Sequence, residues 1–129
     1  MRKIILILVL LFSINTMSAQ EPQQFRRVYS EIAIIKDNKV SRAEAQNTIF
    51  FNYGNEAVIK IYMADGSVRY FDQTTDRDEG STYGGMAFGS ALYKNRTDGT
   101  TVFVQLFEDR QYGVRFIFKN GDMIQFFEQ

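Results

Sequence analysis

The chain has 129 residues, 45% of them apolar and 23% charged, with no formal net charge, which describes an ordinary globular chain rather than a disordered one, with room for one domain and little for a second. It contains no His, no Cys and no Trp. Catalytic nucleophile systems built on histidine, imidazole acid–base chemistry, disulfide staples and the usual zinc or copper ligand sets are therefore excluded by composition.

The chain opens with Arg2 and Lys3, followed by an unbroken apolar run from Ile4 to Phe12 and a small, polar stretch that ends in Met17-Ser18-Ala19. A basic start, a short apolar stretch and small residues before a cut are the marks of a signal peptide, and the run is about half of the ~20 residues a bilayer span needs. The expectation is a signal peptide over residues 1–19, cleaved after Ala19 or after Ser18, and a single antiparallel β domain over residues 20–129 with no membrane span after cleavage. No Cys follows the run, so lipoprotein processing is excluded. Cleavage removes Arg2 and Lys3 and leaves 13 basic against 15 acidic side chains. The basic residues are scattered, with Arg26-Arg27 the one adjacent pair, so no stripe exists to neutralise phosphates and nucleic acid is not an expected partner. A cysteine-free domain of this size fits a periplasmic or otherwise secreted bacterial protein.

From Arg27 to Ile35 the pattern alternates, with Val28, Ser30, Ile32 and Ile34 set against Tyr29, Glu31, Ala33 and Ile35, and predicts a strand. Asp37-Asn38-Lys39 supplies a turn. Ser41-Arg42-Ala43-Glu44 has capping-box spacing and allows one or two helical turns, although a short turn or extended connection serves equally because no apolar face follows. Thr48 to Tyr53 is a further strand. Asp65-Gly66 predicts a two-residue hairpin turn, which sets Met63 against Val68, Tyr62 against Arg69 and Ile61 against Tyr70. On that register Tyr62 and Arg69 form a surface cation–π pair. Asn120-Gly121 predicts a second such hairpin, with Phe118 against Met123 and Val114 against Phe127, apolar on both faces and hence central or covered. Strands at 85–93, 101–107 and 112–118 lie between, joined by short polar links. Consecutive strands with short links pair as neighbours, so the predicted fold is all-β, an antiparallel meander of seven or eight strands forming a curled sheet or small barrel or roll.

Candidate sites follow from what remains. Asp76 and Asp78, with Glu79 and Gly80, resemble the start of a calcium loop, but Ser81 and Ala87 stand where a glycine and a bidentate acid are needed, so a solvated acidic loop is the plainer reading and no metal or other cofactor is expected. Gly80, Gly84, Gly85 and Gly89 suit a bend or bulge where the sheet curls. Nothing in the spacing of the carboxylates selects a glycosidase pair. Asn95-Arg96-Thr97 is an N-glycosylation sequon in a hairpin loop. With 12 Phe and 7 Tyr, the strands carry more rings than one core face requires. Some of them, Phe103 and Phe116 among them, can line a site for an apolar ligand, with Arg115 either anchoring a ligand carboxylate inside the barrel or projecting into solvent from its outer face. The functional expectation is a non-enzymatic binding module for an apolar small molecule or peptide. The alternative is an interaction module, an inhibitor or envelope subunit, whose partner is another envelope protein.

Overall fold

The computed structural model describes residues 22–128, so the expected signal peptide lies outside the described residues. Nine strands carry the fold: β1 (Phe25–Lys36), β2 (Lys39–Phe51), β3 (Val58–Tyr62), β4 (Val68–Gln73), β5 (Asp78–Tyr83), β6 (Met86–Asn95), β7 (Thr101–Phe107), β8 (Val114–Phe118) and β9 (Met123–Phe127). All pairings are antiparallel. β1 pairs with β9 and β4 with β6, so eight strands close into a barrel and β5 adds a ninth on the flank of β6. Closure leaves no partnerless first and last strand, which is the physical advantage of a barrel over an open sheet.

The residues expected to allow a helical turn, Ser41 to Gln46, are strand, because β1 offers a ladder from Lys36↔Lys39 to Glu31↔Glu44 that resumes at Tyr29↔Asn47. Residues 78–83, expected as a loop, form β5 on β6. Alternation along β1 breaks where its register on β2 shifts between Tyr29 and Glu31, so Tyr29 and Ile32, three residues apart, both reach the core.

Both expected two-residue turns are three-residue loops. Met63 N donates to Ser67 O (2.8 Å) and Gly66 N to Met63 O (3.0 Å), and the second hairpin repeats this with Phe118 N to Asp122 O and Gly121 N to Phe118 O, both 2.9 Å. Gly66 and Gly121 supply the left-handed residue that this loop needs (φ 90 and 96). Each register therefore slips by one residue. Ile61 faces Arg69 and Tyr62 faces Val68, while Ile117 faces Met123 and Val114 faces Phe126. A slip of one turns a strand over, so Phe71 points inward and Tyr70 outward. The true two-residue turns are Asp37-Asn38 and Gly84-Gly85, with positive φ at both positions.

Tyr29, Ile49, Ile59, Ile61, Phe71, Val102, Val104, Val114, Phe116 and Phe126 fill the barrel. The Phe116 ring packs at 5.1 Å from Phe71 and 5.8 Å from Phe126. Beside Tyr93 and Val104 the interior leaves a void of about 10 Å³, room for a single water and not for a ligand. A second, smaller core lies outside the wall, where Phe107 is fully buried beneath Phe88, Tyr83 and Tyr112.

The β4–β6 seam has only three ladder pairs, and loop contacts extend it: Arg96 N donates to Tyr70 O (3.0 Å), Thr74 N to Leu92 O (2.8 Å), and the Arg96 guanidinium clamps the Asp72 carboxylate. Arg96 beside it holds the Asp72 carboxyl below its usual 3.8, and hydroxyl and main-chain donors at Ser67 and Thr100 do the same for Asp65 and Asp98. Depressed carboxyl pKa values contribute stability that is present above the unfolded value and is lost as pH falls through the folded one. Thermal midpoints are therefore expected to vary little from pH 7 to 5 and to drop below about pH 4, more gently in Asp72→Asn, with differential scanning calorimetry as the measurement. These carboxylates are exposed, so each effect is small.

Candidate functional site

Up-and-down winding places alternate links at the same end of a barrel. Here that end carries the tips at Asp37-Asn38, Ala64–Gly66, Arg96–Gly99 and Lys119–Gly121. A cleft of about 720 Å³ opens among three of them. Its apolar lining comes from Ile34, Phe118 and Ile124, which face inward at the barrel rim, and from Ile35 and Met123 on the outer side. Lys36, Lys119, Asp98 and Asp122 complete the wall.

The two aspartates are engaged locally. Asp98 accepts from Thr100 N and Oγ1 (3.0 and 2.7 Å), and Asp122 accepts from Asn120 Nδ2 (3.2 Å) and from Asp37 N (3.5 Å), which ties the β1–β2 tip to the β8–β9 tip. Lys36 and Lys119 are placed differently. Among the described residues the ion pairs are Arg77–Glu79, Arg96–Asp72 and Arg110–Glu128, so neither lysine has a carboxylate at salt-bridge distance. The cleft thus joins an apolar floor to two ammonium groups and two carboxylates, none of which forms an ion pair among the described residues.

A shallower cleft of about 350 Å³, lined by Leu92, Phe103 and Ile117, shares Thr101, Phe118 and Lys119 with the first. Ladder pairing extends it into one outer row, Leu92↔Phe103↔Ile117↔Met123↔Ile35↔Val40, crossing β6, β7, β8, β9, β1 and β2. Leu92 and Val40, at its ends, are exposed. An apolar row that runs across six strands of an outer wall is more than the single exposed side chains normal for a surface.

The residues singled out from the sequence fall in three places. Phe103 belongs to this row. Phe116 is buried in the filled barrel, 1% exposed, and touches neither cleft. Arg115 is on the outer wall, where the rings of Tyr83, Phe107 and Tyr112 surround its guanidinium at 5.0, 5.3 and 4.9 Å; it sits neither in the barrel nor free in solvent, and its Nε reaches Gln125 Oε1 at 3.4 Å. Asp78 opens β5 opposite Ser90, with Asp76 in the link before it. No group of three or more Asp or Glu side chains among the described residues converges as a metal site. The Tyr62–Arg69 pair is replaced by another cation. Lys60 Nζ lies 4.4, 4.6 and 5.3 Å from the rings of Tyr53, Tyr62 and Tyr70, and the hydroxyls of Tyr62 and Tyr53 raise its pKa above the usual value. Both aromatic cages are occupied by side chains of the chain itself.

Sequence reasoning missed Ile34, Lys36, Lys119 and Ile124 as a group. The available signal was the winding itself, since a meander brings the first and last hairpin tips to one end, but it becomes usable only once β1 is known to pair with β9. Comparison with known proteins found no matching family model, no matching curated protein and no matching solved structure.

Proposed function

We propose that this protein is an exported, non-enzymatic β-barrel module that binds a small molecule with an apolar body and one anionic group, in the cleft between the β1–β2, β6–β7 and β8–β9 tips. The carrying observation is the pairing of an apolar floor, Ile34, Phe118 and Ile124, with the ammonium groups of Lys36 and Lys119, which form no ion pair among the described residues. Its volume, about 720 Å³, falls in the range of small-molecule sites. Export rests on the apolar leader that follows Arg2 and Lys3.

Dodecanoate titrated into isotopically labelled protein is expected to shift the methyl resonances of Ile34, Ile124 and Met123. Lys36→Glu combined with Lys119→Glu is expected to weaken dodecanoate by about tenfold and to leave the neutral alcohol dodecanol little changed. Equal losses for both compounds, or shifts confined to other residues, would refute the reading. A second reading, an interaction module for another envelope protein, is favoured by the outer row from Leu92 to Val40. It predicts that dodecanoate leaves Ile34 and Ile124 unmoved while a photo-crosslinker at Leu92 captures one protein from envelope extract.

A further inference from the structure

Among the described residues, the edge of β2 away from β1 has a partner strand only at its C-terminal end. β1 pairs with its other side from Lys39 to Glu44 and from Asn47 to Phe51, but β3 pairs with β2 only from Thr48 to Phe51. Two features bound the open stretch. The Asp37-Asn38 turn closes at Lys39, and at the other end the Asn47 side chain accepts Ala64 N at 2.9 Å. Between them lies Val40-Ser41-Arg42-Ala43-Glu44-Ala45-Gln46, exposed except for a half-buried Ala45, with Ala43 at its centre. An exposed edge of this length is a template for another strand, and the β1–β2 register shift touches it only at Ala45-Gln46.

The same stretch holds an electrostatic conflict. Glu31 and Glu44 are directly opposed across the β1–β2 ladder, and Glu31 is only 8% exposed. Like charges directly opposite destabilise a sheet, and among the described residues neither carboxylate has an ion-pair partner. The nearby cation, Arg42, lies on the same outer face with its guanidinium carbon 4.9 Å from the centre of the Phe127 ring, and among the described residues it forms no ion pair.

We propose that two copies of this chain dimerise by pairing their β2 edges antiparallel about a two-fold axis at Ala43. Antiparallel partners share a face, so the axis must pass at a residue, and the sequence decides which one. An axis at Arg42 sets arginine on arginine, and one at Glu44 sets glutamate on glutamate. An axis at Ser41 leaves Glu44 opposite Asn38 of the second copy. At Ala43, Arg42 meets Glu44 of the second copy and the symmetry repeats the pair, so each Glu31–Glu44 conflict gains a cation. The inward-facing neighbours in this register are Ser41, Ala43 and Ala45, small enough for close approach, and Val40 meets Gln46 at the limits set by the turn and by Asn47. The register chosen by charge is thus also the one centred on the free edge.

The test uses sedimentation equilibrium on the protein expressed from its full sequence. Wild type is expected to show a reversible monomer–dimer equilibrium. Arg42→Glu and Glu44→Arg, each alone, are expected to raise the dimer dissociation constant by about tenfold or more. The double variant R42E/E44R restores dimerisation, and an equimolar mixture of the two single variants forms a heterodimer, since every cross-edge contact is then between opposite charges. The mixture also shows that both variants fold. A wild-type monomer at all concentrations, a dimer indifferent to the single reversals, or single variants that fail to combine would each overturn the proposal.

Discussion

Gly113→Ala is expected to lower the thermal midpoint by more than 10 °C, the largest effect of any glycine substitution in the chain. A Cβ at this position would lie 1.8 Å from Phe126 O, 2.8 Å from Phe126 C and 2.9 Å from the Phe127 Cα, all main chain that cannot rotate away. The residue also has φ 75, which costs any L side chain about 1–2 kcal/mol. Relief requires β9 to retreat, and β9 holds the barrel closed against β1 while pairing with β8. Left-handed strain plus overpacking comes to about 3 kcal/mol or more, against the ~5–15 kcal/mol that typically separates folded from unfolded chains. For a domain of this size each kcal/mol moves the midpoint by roughly 4–8 °C. Gly99→Ala is the control, since it shares the left-handed backbone (φ 75) but would meet nothing within 4 Å. Circular dichroism melting curves on both variants give the answer, and equal midpoints would show that the close approach of β9 is absent in solution.

Phe116→Ala is the second large expected effect, a loss of about 3–5 kcal/mol in urea unfolding. The ring is 1% exposed and packs between Phe71 and Phe126, so truncation leaves a void in a barrel whose interior gap beside Tyr93 and Val104 is only about 10 Å³. Those neighbours sit on β4 and β9, which belong to the two closing seams, and cannot collapse without shifting the ladders. Phe103→Ala, one residue type and one strand away, is expected to cost much less because Phe103 is on the outer wall and only partly buried. The pair also separates packing from binding. Phe116 lies outside the cleft lining, so folded Phe116→Ala protein is expected to bind dodecanoate as wild type does. A cost below about 1 kcal/mol would mean that the barrel interior is not the close-packed core described.

The strands at 85–93, 101–107 and 112–118 were legible because alternation and polar links are local properties of the chain. Both three-residue hairpins were located correctly and paired wrongly. A glycine after Asp or Asn serves either a two-residue turn or the left-handed position of a three-residue loop, and the choice depends on which strand face is buried, which the dipeptide does not record. The sequence of β5 reads as a loop because Asp78 and Glu79 have weak strand propensity, yet β6 pairs with Asp78 and with Ser81 to Tyr83. Of the candidate site residues, Phe103 alone lies against a cleft. Arg115 and Phe116 are adjacent in sequence, and strand alternation sends them to opposite faces of one wall.

Sequence alone determined that this chain is antiparallel β, where its hairpins bend, and that reactive side chains of the histidine and cysteine kind are missing; each of these is a matter of residue identity and of spacing within one or two strands. Tertiary structure decided closure, register and the site. β1 meets β9 across some ninety residues of intervening chain, and that contact carries Ile34 and Lys36 to Lys119 and Ile124. Long-range pairing is selected by the summed burial of the whole sheet, a quantity that no local pattern in the chain contains.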